Sequence, residues 1–287
     1  MPHFERLYLR LDGDPPDAPG TRVPPHAMTE LPVRPSLRRH VAHVVAYREQ
    51  FDEETSERVL PDGATRLIFH VPDSLYGRSA IEVAGPSTEP AVLRLRGTVA
   101  GISVTLRPGA VRDVLGVPAS EVAGQVVALD ELWPETGETA ARLTHTSDDA
   151  ARGGIVQDLL EARSRPTSCR VGRAAHIVSR EAGRRSVVAI AEDLGLSERR
   201  LQQLFRAHVG LTPRALGRIA RMHAVFRALR GDVPPSWARI ATDAGFYDQA
   251  HLANELRRLS GLTPSALLQR VSGFSKTSRP PRARVPE

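Results

Sequence analysis

Cysteine is nearly absent from this 287-residue sequence: Cys169 stands alone. No internal disulfide can form, which fits a reducing cytoplasm. Lysine is almost as scarce, with Lys276 the single example, so the basic charge is carried by arginine. Long apolar runs are missing too. No stretch approaches the ~18 residues of a membrane-spanning helix. The opening MPHFERLYLR lacks the apolar run and small-residue cleavage site of a secretory signal. These absences predict a cytoplasmic, nucleoid-associated protein with no membrane partner. Catalytic fingerprints are lacking as well: no G-x-S-x-G, P-loop or G-x-G-x-x-G occurs. His40 and His43 stand three apart on an expected helix, without the Cys, Asp or Glu that would complete a metal set. No enzyme, cofactor or metal centre is therefore expected.

What is present is an uneven charge. Residues 171–287 carry 20 basic against 9 acidic side chains, whereas 1–170 carry 19 against 24. A basic C-terminal third beside a mildly acidic remainder suggests a polyanion-binding module joined to something else. The length favours two domains.

The first 35 residues are rich in proline and turn formers, with one short strand expected at Leu7–Leu11. A short helix is expected after Pro35, turning Leu37, Val41 and Val44 inward. Strand-like runs follow at Glu57–Leu60, Arg66–Val71, Ala80–Ala84, Val92–Arg96 and Val99–Leu106, divided by turn signals. Helical patterns then occupy Ala110–Leu115, Glu138–Leu143 and Asp148–Arg163. Polar Ser164–Arg170 reads as a linker, and everything after it as helices. The division predicted is a β-rich domain over 1–165, a helical domain over 171–273 and a basic, disordered tail over 274–287. The class is α+β, with the two kinds of element segregated along the chain.

The helical third contains itself twice. GLTP occurs at Gly210–Pro213 and again at Gly261–Pro264. At that offset Leu201 matches Leu252, Phe205 matches Leu256 and Leu216 matches Leu267. Upstream the offset shortens by one, pairing Val187 with Trp237, Ile190 with Ile240, Ala191 with Ala241 and Gly195 with Gly245. The slip falls in a turn, because a turn tolerates an insertion that a helix does not. In the first copy Val187, Ile190, Ala191 and Leu194 form one helical face, Gly195 ends it, and Ser197 caps the next helix. In the second copy Gly245 ends the helix and Asp248 caps the next. Each copy reads as a helix-turn-helix. Between them, a helix begun at Pro213 carries Leu216, Ile219, Met222, Phe226 and Leu229. At 1.5 Å per residue, a helix of about 17 residues spans roughly 25 Å. It can hold two recognition helices about one DNA turn, ~34 Å, apart.

At these residues, across about 173–272, the sequence resembles the AraC/XylS family of transcription regulators. IAEDLGLSERRLQQLFRAHVGLTP carries the first unit and IATDAGFYDQAHLANELRRLSGLTP the second. The resemblance implies base contacts from Arg199, Gln202 and Gln203 in the first recognition helix. From the second it implies Gln249, Ala250, His251 and Asn254. The spacing independently sets the first group opposite Leu201 and Phe205, on the polar face. Gln and Asn can read adenine bidentately and Arg can read guanine. Arg200, Arg206, Arg257 and Arg258 suit phosphates. The family often has arginine where this chain has Gln203 and Asn254, and phenylalanine where it has Leu252 and Leu256. The first difference points to a different base preference, and the second leaves the core volume similar.

The N-terminal half resembles the regulatory domain of some members of the family through VLPDG (Val59–Gly63) and LRPGAVRDVLGVP (Leu106–Pro118). This implies a β-rich effector-binding or dimerisation domain, with a small barrel as one form it could take. Arg66, Phe69 and His70 are the candidate effector contacts, and Asp62 of the Pro-Asp-Gly turn reads as structural. The partners implied are double-stranded promoter DNA, RNA polymerase for an activator, a small-molecule effector and a second copy of the chain. Two other classes remain open: an architectural DNA binder without an effector, and an enzyme domain fused to a DNA-binding module.

Overall fold

The computed structural model describes residues 6–9, 27–71, 74, 77, 79–165, 169–230 and 236–269. The expected tail at 274–287, most of the proline-rich opening and the centre of the expected linker lie outside them.

The N-terminal half is built on a sheet of seven strands: β1 (Arg6–Tyr8), β2 (Met28–Leu31), β3 (Val41–Val59), β4 (Arg66–His70), β5 (Ile81–Ala84), β6 (Ala91–Leu106) and β7 (Val126–Ala128). The order is β1-β3-β6-β4-β5-β7, with β2 also on β3. Only the β1–β3 pair is parallel. Among the described residues the two ends of the sheet do not meet. It is an open sheet rather than the barrel held out as one form.

Two corrections come from β3 and β6, which pair along nearly their whole length, from Val41 opposite Leu106 to Val59 opposite Ala91. The helix expected after Pro35 is a single 3-10 turn, Pro35–Leu37, and Val41 and Val44 belong to β3. Valines at 41, 44 and 45 suit a pleated surface better than a helix, where branching at Cβ restricts the side chain. The two runs expected at Val92–Arg96 and Val99–Leu106 are one strand. Their apparent break at Gly97 lies beside an irregularity, where the register shifts between Phe51 and Thr55 of β3.

The helices of this half lie close to expectation: α1 (Val111–Leu115), α2 (Thr136–Thr144) and α3 (Asp149–Arg163). Asp148 caps α3 by accepting from the Ala151 N–H at 2.7 Å. They cover one face of the sheet. Leu67, Val83, Ile102 and Val104 of the strands share a core with Val114, Trp133, Leu143, Val156 and Leu160.

The helical third contains α4 (Cys169–Arg180), α5 (Val187–Asp193), α6 (Glu198–His208), α7 (Pro213–Leu229), α8 (Trp237–Ala244) and α9 (Gln249–Ser260). Its core gathers Ile190, Leu201, Phe205, Leu216, Phe226, Ile240, Leu252 and Leu256. Each such side chain contributes roughly 1.5–3 kcal/mol on burial. Leu9 and Leu60, from the N-terminal half, are buried in the same cluster. The sheet and the helical third are therefore packed together. Gly63, in the turn after β3, approaches α7 so closely that a Cβ there would come 2.8 Å from Leu216 Cδ1.

Candidate nucleic-acid interface

Each half of the repeat starts its second helix with the cap that its sequence calls for. Ser197 accepts from the Arg200 N–H at 3.2 Å and Asp248 from the His251 N–H at 2.7 Å. Such a cap contributes about 1 kcal/mol and fixes where the helix begins. Gly195 and Gly245 take the left-handed conformation in the preceding turns, with φ of 63° and 81°. Leu201 and Phe205 then face inward on α6, and Leu252, Leu256 and Leu259 on α9.

With those faces buried, the expected reading positions are outside. Arg199, Gln202 and Gln203 are exposed on α6, and Gln249, Ala250, His251 and Asn254 on α9. Gln202 is tied back to Glu198 Oε1 at 2.9 Å, one turn earlier. The His251 ring stands edge-on to Phe246, and its Nδ1 accepts from the Tyr247 N–H at 3.3 Å. A neutral ring held this way carries its proton on Nε2 and presents a donor. Arg200, Arg206, Arg257 and Arg258 are exposed on the same two helices. Tyr247, 93% exposed at the start of α9, escaped the sequence reading. Its place just before the Asp248 cap could have drawn attention to it.

The two units share the long helix α7. Thr212 caps it by accepting from the Ala215 N–H at 3.1 Å, and Pro213 occupies its first position. Arg218 of α7 forms an ion pair with Glu255 of α9. Arg221 lies over the Phe246 ring, 5.8 Å from its centroid, and donates to the Ala182 carbonyl at 3.3 Å. α9 is thus tied to α7 by charge as well as by packing.

α6 is held from behind by the N-terminal half. His208, at its last position, is buried beside α1 and bonds to the backbone of Gly109. Burial holds the His208 imidazole below its ordinary value; Asp113 opposes this, while Arg112 and Arg200 add to it. Gly210 follows, so near Pro86 and Ala119 that a Cβ would come within 2.7 Å of Pro86 Cγ. The matching Gly261, after α9, lies beside Arg58 of β3 at a corresponding 2.8 Å. Sequence reasoning missed His208 because nothing local shows that its neighbours come from a hundred residues upstream.

The three candidate effector residues do not converge. Alternation along β4 sends Phe69 into the core, 1% exposed, and Arg66 and His70 to the other face. His70 Nε2 lies 3.2 Å from Glu82 Oε2 on β5. Arg66 makes a mostly buried ion pair with Asp62. Burial works against the charge of Asp62, but the Arg66 guanidinium more than offsets it and holds the carboxyl below its ordinary value. His40 and His43 do not form a site either. His40 Nε2 bonds the Arg165 carbonyl at 2.8 Å, and His43 Nδ1 meets Glu30 at 2.7 Å. Among the described residues no three His, Cys, Asp or Glu side chains converge as metal ligands, and no helix is long and apolar enough to cross a membrane.

Two family models match the chain. Residues 190–270 match one described as "Helix-turn-helix domain", and residues 29–128 match a "Domain of unknown function (DUF6597)". No curated protein matches. Among solved structures, an AraC-type transcriptional regulator from Chromobacterium violaceum is 20% identical, with a TM-score of 0.34 over 38% of this chain and 95% of its own. A dual transcriptional regulator from Escherichia coli K-12 is 19% identical, with a TM-score of 0.33 over 38% of this chain and 96% of its own. ToxT from Vibrio cholerae is 11% identical, with a TM-score of 0.43 over 79% of this chain and 97% of its own.

Proposed function

We propose that this chain, whose C-terminal part is an AraC-type helix-turn-helix domain, is a sequence-specific transcription regulator that reads two successive major grooves. One observation carries the reading. The polar faces of two capped helices, α6 and α9, are exposed while their apolar faces share one core through a single 17-residue helix. A rigid pair of readers in one chain suits an asymmetric site with half-elements about one helical turn apart.

In this reading Arg199, Gln202, Gln203, Gln249, Ala250, His251 and Asn254 contact base edges. Arg200, Arg206, Arg257 and Arg258 contact phosphates. The N-terminal sheet with its helices, residues 1–165, acts on the reader over 171–273 through the face packed against α6 and α7. The protein works in the cytoplasm on promoter DNA as an activator that touches RNA polymerase. An effector or a second copy of the chain sets the state of the N-terminal half.

The test is genome-fragment selection with purified full-length protein, followed by titrations on the enriched site at several salt concentrations. A reproducible motif with two half-elements about ten base pairs apart, bound well above random DNA, is the expected result. Uniform binding with no enriched motif, with or without cell extract to supply an effector, rejects sequence-specific reading in favour of an architectural role.

A further inference from the structure

Four arginines converge where α4, α5 and α7 meet. Arg185, Arg214, Arg218 and Arg221 line a cleft of about 190 Å³. Its back wall is a close approach of the turn after α4 to α7, where a Cβ on Gly217 would come 2.9 Å from Gly183 Cα. Two carboxylates reach these arginines: Asp193 pairs with Arg185 and Glu255 with Arg218. Arg214, at the start of α7, is exposed and makes no ion pair among the described residues. Among the described residues the charges of the cleft are therefore not balanced. Behind its lining, Arg218 Nη2 and Arg221 Nε are buried with no hydrogen-bond partner among the described residues. A buried guanidinium donor left unmade is costly, and an oxyanion is the group its geometry fits. Burial, with Arg218 adding and Glu255 opposing, already draws the Arg221 guanidinium below its ordinary value. An anion in the cleft would relieve that.

The cleft also has a telling position. Arg185 and Val187 lie at the start of the first unit, while Glu255, which holds Arg218, follows the exposed Asn254 on the second reading helix. It thus lies beside the start of the first unit and, through Glu255, against the second reading helix.

We propose that this arginine-lined cleft is an oxyanion site that takes a phosphate group. Its source is either the DNA backbone between the two major grooves or a free phosphate. Only the first source rests on the proposed function.

Full-length protein and random-sequence duplex DNA test it. Each phosphate contact contributes about 0.9 to the slope of log affinity against log salt. Arg214→Gln should flatten that slope by about one contact, so that affinity falls about three- to fourfold less than wild type's between 50 and 200 mM salt. Arg214→Lys should keep the wild-type slope, and Arg142→Gln on α2 should leave it unchanged. Arg218→Gln serves as a second variant if it melts as the wild type does, and Arg214 carries the test otherwise. In a second arm, without DNA, melting is followed in inorganic phosphate and in chloride at equal ionic strength. A flattened slope with no phosphate-dependent melting assigns the site to the DNA backbone. A melting rise in phosphate that Arg214→Gln abolishes assigns it to the free anion. An unchanged slope with no such rise overturns the proposal. Wild-type protein that binds no DNA would sink the regulator reading, and the melting arm would then decide the cleft by itself.

Discussion

His223 donates from Nε2 to the carbonyl oxygen of Pro61 at 3.1 Å, across 162 positions of sequence. The bond joins the helix between the two reading units to the Pro-Asp-Gly turn that leaves β3. The turn is more than a connector: the Asp62–Arg66 pair braces it from inside, and Gly63 lies against Leu216.

Replacing Gly63 by alanine should therefore loosen the seat of that turn. The position has a φ of 74°, which an L side chain tolerates poorly, and the new methyl would press on Leu216 Cδ1 at 2.8 Å. We expect a loss of about 1–3 kcal/mol, seen in thermal melting as a drop of several degrees. A variant that melts with the wild type would show that the contact carries no weight.

Asp62→Ala should cost more, about 3–5 kcal/mol, because it strands the Arg66 guanidinium in a mostly buried place. Removing both charges, with Asp62→Ala and Arg66→Met together, should recover much of the loss. Denaturant titrations of Asp62→Ala, Arg66→Met and the double variant measure the coupling. Equal losses in the single and double variants would mean that the pair acts through something other than its charges.

Acid should weaken the hold on α6. The folded His208 imidazole is held below its ordinary value of 6.5 by burial, so the unfolded chain binds the extra proton first. The stabilising contribution is complete above pH 6.5 and is lost as pH falls through the lower folded value. Asp113 on α1 favours the protonated ring, while Arg112 on α1 and Arg200 on α6 oppose it. Melting temperature against pH should fall below 6.5 in the wild type and fall less in His208→Gln. Identical profiles would refute this assignment.

At the reading face, Gln203→Ala or Asn254→Ala should cost roughly 1–3 kcal/mol on the selected site, with little change on random DNA. Equal losses on both DNAs would move these residues from base reading to backbone contact.

The repeat was legible because each of its signals is local. Caps at Ser197 and Asp248, turns at Gly195 and Gly245, and apolar spacing on α6 and α9 all act within a few residues of one another. The chain composition also revealed the basic third. The sheet was half legible: β4 and β5 lie within a residue or two of expectation, but the length of β3 depends on pairing with β6, some fifty residues away. Val41 and Val44 fit a helical spacing until that partner is known. Arg66, Phe69 and His70 looked like a cluster because they are neighbours in sequence, whereas alternation along β4 divides them between two faces. His208, the Gly63 turn and the four-arginine cleft are products of long-range packing, which leaves no periodic trace in the chain.

The burial of Leu9 and Leu60 among the helices bears on how the molecule can be dissected. A fragment starting at α4 would keep both readers but shed the strand ends and the turn that cover α7. Leu211, Leu216 and Ile219, which crowd around Gly63 in the intact chain, would lose that cover and offer water an apolar stripe. Self-association is the expected fate of such a fragment, in preference to a tidy minimal DNA binder. The N-terminal half would then be required for the solubility of the helical third.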